Sequence, residues 1–73
     1  MKTNKPNIVR VERDGKAMFG GNRHFYYVTF DRPTDDDFVI VRKDRSYTHI
    51  LADDELSAWA TTQRMLDVQY GKD

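Results

Sequence analysis

Side chains able to do chemistry are few in this chain, and their spacing narrows what they can do. The two histidines, His24 and His49, stand far apart, with no cysteine in the chain and no helix-spaced partner to complete a metal site. Serine occurs only at Ser46 and Ser57, neither of them in a nucleophile-elbow pattern, so a hydrolytic triad has no candidate nucleophile. Asp35-Asp36-Asp37 could offer hard oxygen ligands or a carboxyl pair for proton transfer. Consecutive aspartates in a loop point in different directions, however, and the alternating ligands and turn glycine of a calcium loop are missing. A solvated acidic loop is the expectation there. Gly20-Gly21 lacks the lysine and hydroxyl of a phosphate-cradling loop and reads as a β-turn. No acid, base and nucleophile converge, so the chain is expected to be no enzyme and to need no metal or cofactor.

Binding chemistry is better represented. Tyr26 and Tyr27 lie in the aromatic run HFYYVTF, close to basic residues, as in strands on which single-stranded bases stack. Alternation lets only one of the two tyrosines face outward on a given side. Net charge is zero, yet its distribution is uneven. Positions 1–30 carry six basic residues (Lys2, Lys5, Arg10, Arg13, Lys16, Arg23) against Glu12 and Asp14, whereas positions 53–73 carry five acidic residues against Arg64 and Lys72. Such asymmetry favours electrostatically steered association with a charged surface, nucleic acid or protein. The basic residues Arg10, Arg13, Lys16, Arg23 and His24 are expected to gather at one end of a sheet, with Ile8, Arg10 and the outward tyrosine, Tyr27, as contact anchors.

These side chains need elements to hold them. Positions 1–6, ending in Pro6, read as a flexible basic tail, and 7–73 as one domain. Asn7 to Glu12 alternates as a strand, with Val9 and Val11 on one face and Ile8 and Arg10 on the other. Asp14-Gly15 predicts a tight hairpin turn, with a return strand from Lys16 to Phe19, before the break at Gly20-Gly21-Asn22. His24 to Phe30 is the strongest strand signal and the expected central strand, with Tyr26, Val28 and Phe30 on one face and Phe25, Tyr27 and Thr29 on the other. Phe38 to Arg42 makes a further strand, Lys43 to Ser46 a turn, and Tyr47 to Ile50 a short edge strand. From Asp53 the period changes to 3.6, which predicts a helix of about 17 residues. Its apolar stripe would be Leu56, Trp59, Ala60, Leu66 and Tyr70, with Trp59 as main anchor. Asp53 or its neighbour is the expected N-cap, and Gly71 the stop.

The expected fold class is therefore α+β, a small antiparallel sheet of three to five strands packed by one C-terminal α-helix. At 73 residues without cysteine, one small core is all the chain can build, which leaves little room for an enclosed active site. Its longest apolar run, Phe38 to Val41, is far short of the roughly 20 residues a membrane helix needs. No apolar stretch follows the basic start MKTNKPN as it would in a secretory signal. A cytoplasmic, monomeric protein without membrane contact is the expectation.

Taken as a whole, this cysteine-free chain opening MKTNKPNIVRVERDG, with a compact sheet and a final helix, resembles small transcription regulators of Xanthomonas-infecting phages. The resemblance implies a partner, the host RNA polymerase, engaged near the N-terminus of its beta-prime subunit around the RNA exit channel. It further implies inhibition of initiation at host promoters, read-through of terminators, and a place in the host cytoplasm. Contact with nucleic acid near the exit channel is compatible with that role. The alternative, read from the residues alone, is a small single-stranded nucleic-acid-binding protein using the basic hairpin and the exposed aromatics.

Overall fold

The structure is a computed structural model that describes residues 5–18, 23–34, 36–43 and 45–71, and for 16–18 the backbone alone. Four strands and one helix follow in the order β1 (Ile8–Met18), β2 (His24–Phe30), β3 (Ile40–Arg42), β4 (Arg45–Ala52) and α1 (Glu55–Tyr70). The strands form one antiparallel sheet in the order β1-β2-β4-β3, and α1 packs across β1, β2 and β4 on one face. The α+β architecture expected from the sequence is the one present. No helix among the described residues is long and apolar enough to cross a membrane.

β2 is the anchor because period two sorts its residues cleanly: Tyr26, Val28 and Phe30 are buried under the helix, while Phe25, Tyr27 and Thr29 face away. β4 does the same with Ser46, Thr48, Ile50 and Ala52 inward and Arg45, Tyr47, His49 and Leu51 outward. Instead of the short edge strand expected at Tyr47 to Ile50, β4 is a longer interior strand between β2 and β3. Both of its faces have something to pack on, whereas the three residues of β3 are all exposed at the edge.

Two further expectations are corrected at β1. The strand does not turn back at Asp14-Gly15; it continues to Met18. A hairpin turn there would need Gly15 at positive φ, but the one described glycine with positive φ is Gly71. Asp14 and Gly15 instead lie in an irregular stretch where β1 advances from Arg13 to Met18 while β2 moves only from Tyr26 to His24. The predicted break at Gly20-Gly21-Asn22 lies outside the described residues. A second irregularity sets Ile8 and Arg10 opposite the successive residues Phe30 and Thr29. Val9 is bulged out, 60% exposed, and the inward phase passes to Ile8 and Val11, which both pack against the core.

The helix buries Ala58, Thr62, Leu66 and Tyr70, an i, i+4 row along its sheet-facing side. This is not the expected stripe: Leu66 and Tyr70 belong to it, but Leu56 is 74% and Trp59 43% exposed, and Ala60 also faces solvent. Thr62 is tolerated inside because its Oγ1 donates to the Ala58 carbonyl at 2.9 Å. Asp54 is the N-cap, accepting from the Ser57 N–H at 2.7 Å, which holds its carboxyl below the usual carboxylate range. Gly71 closes the helix at φ 94°, its N–H donating to Asp67 O at 2.8 Å.

Loop carboxylates fix the ends of the sheet. Asp31 accepts from both the backbone N–H and the side-chain amide of Asn7 at 2.9 Å, and from the Arg32 guanidinium. The Arg32 contact and then those from Asn7 hold the Asp31 carboxyl far below its ordinary value. The solvated reading of the aspartate run holds for exposed Asp37 but not for Asp36, which is buried and accepts from Tyr70 Oη at 2.5 Å. Asp35 lies outside the described residues. Lys5 and Pro6 also belong to the fold and not to a free tail. Pro6 is fully buried, and Lys5 Nζ reaches Asp67 at 2.6 Å and the Gly71 carbonyl at 3.0 Å.

Candidate macromolecular docking face

With one helix for one sheet, the opposite face of β1, β2 and β4 is left open, and its side chains follow from register. Across it run two cross-strand rows, Glu12–Tyr27–His49 and Arg10–Thr29–Tyr47–Ile40. Phe25 and Leu51 form a third, shorter row.

The rings on this face contact one another. His49 stacks on Phe25 (centroids 4.6 Å apart, planes 25° apart) and on Tyr27 (4.6 Å, 19°). Tyr27 in turn meets Tyr47 edge-on at 5.6 Å and 75°. The Arg45 guanidinium lies 5.3 Å from the Tyr47 centroid, a cation–π distance. His49 is thus sandwiched with both ring faces covered, and Phe25 and Tyr27 each have one face engaged.

Asp14 ties the pile to β1. Its Oδ2 lies 3.2 Å from His49 Nε2, and since an ionised carboxylate only accepts, the Nε2–H tautomer is the one that bonds. Asp14 also accepts from the Tyr27 hydroxyl, which is the first cause of the raised Tyr27 pKa; burial and the charge of Asp14 act in the same direction. The irregular stretch of β1 therefore carries an acidic residue over the open face, with the Asp14 side chain only 11% exposed. Beside the pile is a shallow depression of about 570 Å³ lined by Val9, Arg10, Glu12, Tyr27, Thr29 and Arg45. Arg10 is held by Glu12 on the same strand at 2.5 Å.

The residues proposed from sequence are divided by this geometry. Tyr27 is at the centre of the open face and Arg10 in the adjacent row. Ile8 is half-buried against the core, displaced by the Val9 bulge. Arg13 and His24 pair with Tyr26 and Ala52, so they share the helix side of the sheet. Arg23 stands just before β2, 3.5 Å from Asp53. The Lys16 side chain lies outside the described residues. The expected basic cluster is therefore split between faces. Likewise His24 and His49 lie on opposite sides, and among the described residues no three potential metal ligands gather.

Phe25, Tyr47, His49, Arg45 and Asp14 are the contributors the sequence reading missed. The alternation Arg45, Tyr47, His49, Leu51 was the available signal, and treating positions 43–46 as a turn interrupts it. No protein-family profile, curated protein or solved structure matches the chain, so the open face stands on its own geometry.

Proposed function

We propose that this chain is a non-catalytic transcription regulator that binds a bacterial RNA polymerase through the open face of its sheet. In this reading it acts as a monomer in the host cytoplasm, inhibits initiation at host promoters and promotes read-through of terminators. Two things support it: the resemblance of the chain to small phage regulators of that kind, and the composition of the open face. The carrying observation is the Tyr27–His49–Phe25 pile flanked by Arg10 and Arg45, because tyrosine and arginine packed in a pre-ordered patch dominate protein-binding hot spots. The molecule measures 37 × 27 × 19 Å between Cα extremes, so its broad side is large enough for the roughly 800 Å² per partner of a specific interface. Bound near the RNA exit channel at the beta-prime N-terminus, such a wedge would hinder promoter-complex formation and slow terminator-hairpin invasion.

Retention of core RNA polymerase on the immobilised protein at moderate salt is the direct test. Tyr27→Ala should weaken retention at least tenfold while leaving the fold intact, since Tyr27 faces away from the core. No retention by the wild-type protein would end the reading.

A second reading, single-stranded nucleic-acid binding, draws on the same rings and cations. The pile speaks for it less than a free platform would, because both faces of His49 and one face each of Phe25 and Tyr27 are covered by neighbouring rings, and Asp14 sets a carboxylate beside them. Steeply salt-dependent binding of an oligothymidylate, mapped to Phe25 and Tyr27 amides, would favour this second reading.

A further inference from the structure

The hairpin joining β3 to β4 groups three cations, Arg42, Lys43 and Arg45. Arg42 and Arg45 are directly opposed in the ladder, on the open-face side, and like charges in that position repel. Between them Lys43 has φ 53°, the one non-glycine among the described residues at positive φ. A two-residue connection demands that conformation, and asparagine or glycine adopts it more cheaply than lysine does. Lys5, Arg10, Arg23 and Arg32 each lie within 4 Å of a carboxylate, whereas no described carboxylate pairs with Arg42, Lys43 or Arg45. All three converge with Tyr47 on one depression of about 300 Å³. Arg45 also lines the larger depression beside the ring pile. The repulsion between Arg42 and Arg45 is not relieved by any described carboxylate, a pattern expected where a ligand supplies counter-charge.

We propose that this hairpin is an anion anchor at which Arg42, Lys43 and Arg45, grouped around Tyr47, seat the carboxylates of an acidic segment of a protein partner. The inference rests on the reading of the open face as a protein-docking surface and names the chemistry of what docks. An acidic protein segment fits better than a nucleic-acid strand because charge on the face changes sign along its length. Cations stand at the hairpin, whereas on β1 the charge of Arg10 is matched by Glu12 and Asp14 adds a further carboxylate. A strand of uniform negative charge crossing the face would meet those carboxylates, whereas a protein can be acidic opposite the hairpin and neutral or basic opposite β1. Arginine forks match carboxylates two bonds at a time, and Arg45, already held over Tyr47, gives up little freedom on binding. The cluster also steers encounter, so it should set the salt dependence of association.

The test uses the full chain and its Arg42→Gln/Arg45→Gln variant. Amide shifts are followed during titration with a peptide holding four consecutive glutamates and, separately, with an oligothymidylate; retention of core RNA polymerase is measured across a salt series. The expected result is peptide-induced shifts at positions 41–47, lost in the variant, and polymerase retention weakened about tenfold or more with a flatter salt dependence. Because the variant removes a repulsive pair, it should melt at the same temperature as the wild type or higher, which separates an anchor from a structural role. Wild-type retention of polymerase together with equal retention by the variant at every salt concentration overturns the anchor and leaves the docking reading standing. Tighter binding of the oligothymidylate than of the peptide at positions 41–47 also overturns it, in favour of nucleic acid. Should the wild type retain no polymerase, the docking reading falls, and the peptide titration decides the anchor alone: no shift at 41–47 ends it.

Discussion

Tyr70 brings the last turn of α1 to a carboxylate that the sequence reading assigned to solvent. Its hydroxyl donates to Asp36 at 2.5 Å in an environment where both side chains are buried, so losing the bond would leave a buried carboxyl oxygen poorly compensated by water. Tyr70→Phe should therefore destabilise the protein by roughly 1.5–3 kcal/mol, whereas Asp37→Asn, one position along and exposed, should change stability by less than about 0.5 kcal/mol. Urea denaturation of the two variants checks the contrast. That consecutive aspartates point in different directions was legible; which of them turns inward was not, because the tyrosine that selects Asp36 is contributed by a distant helix. Asp31 gives the residue scale a pH dependence. Its folded-state pKa is depressed, chiefly by Arg32 and then by Asn7, so its stabilising contribution is fully present above the unfolded value near about 3.9 and is lost as pH falls below it. Asp31→Asn should remove part of the wild-type decline in melting temperature between about pH 4 and pH 2, while at pH 7 the variant is the less stable of the two.

At the scale of elements, what could be read was whatever period alone decides. HFYYVTF sorted its faces correctly because both sides of β2 are packed, one on the helix and the other on its own rings. β1 was misread because two irregularities move its phase, and a bulge is set by the neighbouring strand and not by local composition. The helix was located correctly, yet its buried face was misassigned. Hydrophobicity alone favoured Leu56 and Trp59, whereas close packing on a small twisted sheet selects the narrow row Ala58, Thr62, Leu66, Tyr70. The energetic order should follow the structure. Leu66→Ala removes a fully buried side chain and should cost about 2–5 kcal/mol, while Trp59→Ala, despite deleting the larger residue, should cost about 1 kcal/mol or less. Thermal melts of the two variants decide it, and a larger loss for Trp59→Ala would show that this helix face is misassigned. The cap offers a companion case, since Asp54→Ala leaves the Ser57 N–H unsatisfied and should lower the melting temperature by a few degrees.

The whole molecule is a two-layer structure with one layer incomplete: a helix of about 24 Å covers one side of the sheet, and nothing in the chain's described residues covers the other. The covered side is held by long-range ties, of which Lys5 is the most economical. No basic residue occurs in the last turn of α1, and among the described residues it is Lys5 that brings a positive charge to its carbonyl end. Lys5 Nζ binds Asp67, which also accepts from Gln63, and the Gly71 carbonyl. Pro6 beside it is fully buried, so positions 5 and 6 are tied to the end of the helix. Composition assigns Lys5 and Pro6 to a basic tail, and only the three-dimensional meeting of positions 5 and 67 shows that these two belong to the fold; positions 1–4 lie outside the described residues. Because this lock sits on the covered side and the docking face on the other, stability and binding should separate. Lys5→Gln should lower stability by about 1 kcal/mol, seen first as faster amide exchange across positions 67–71, and deletion of residues 1–6 should cost more because it also exposes the site of Pro6. At a temperature where the Lys5→Gln variant remains folded, its retention of RNA polymerase should equal that of the wild type. Tyr27→Ala should behave the other way, melting close to wild type while losing retention, and a coupled loss of both properties in either variant would place the binding surface somewhere other than the open face.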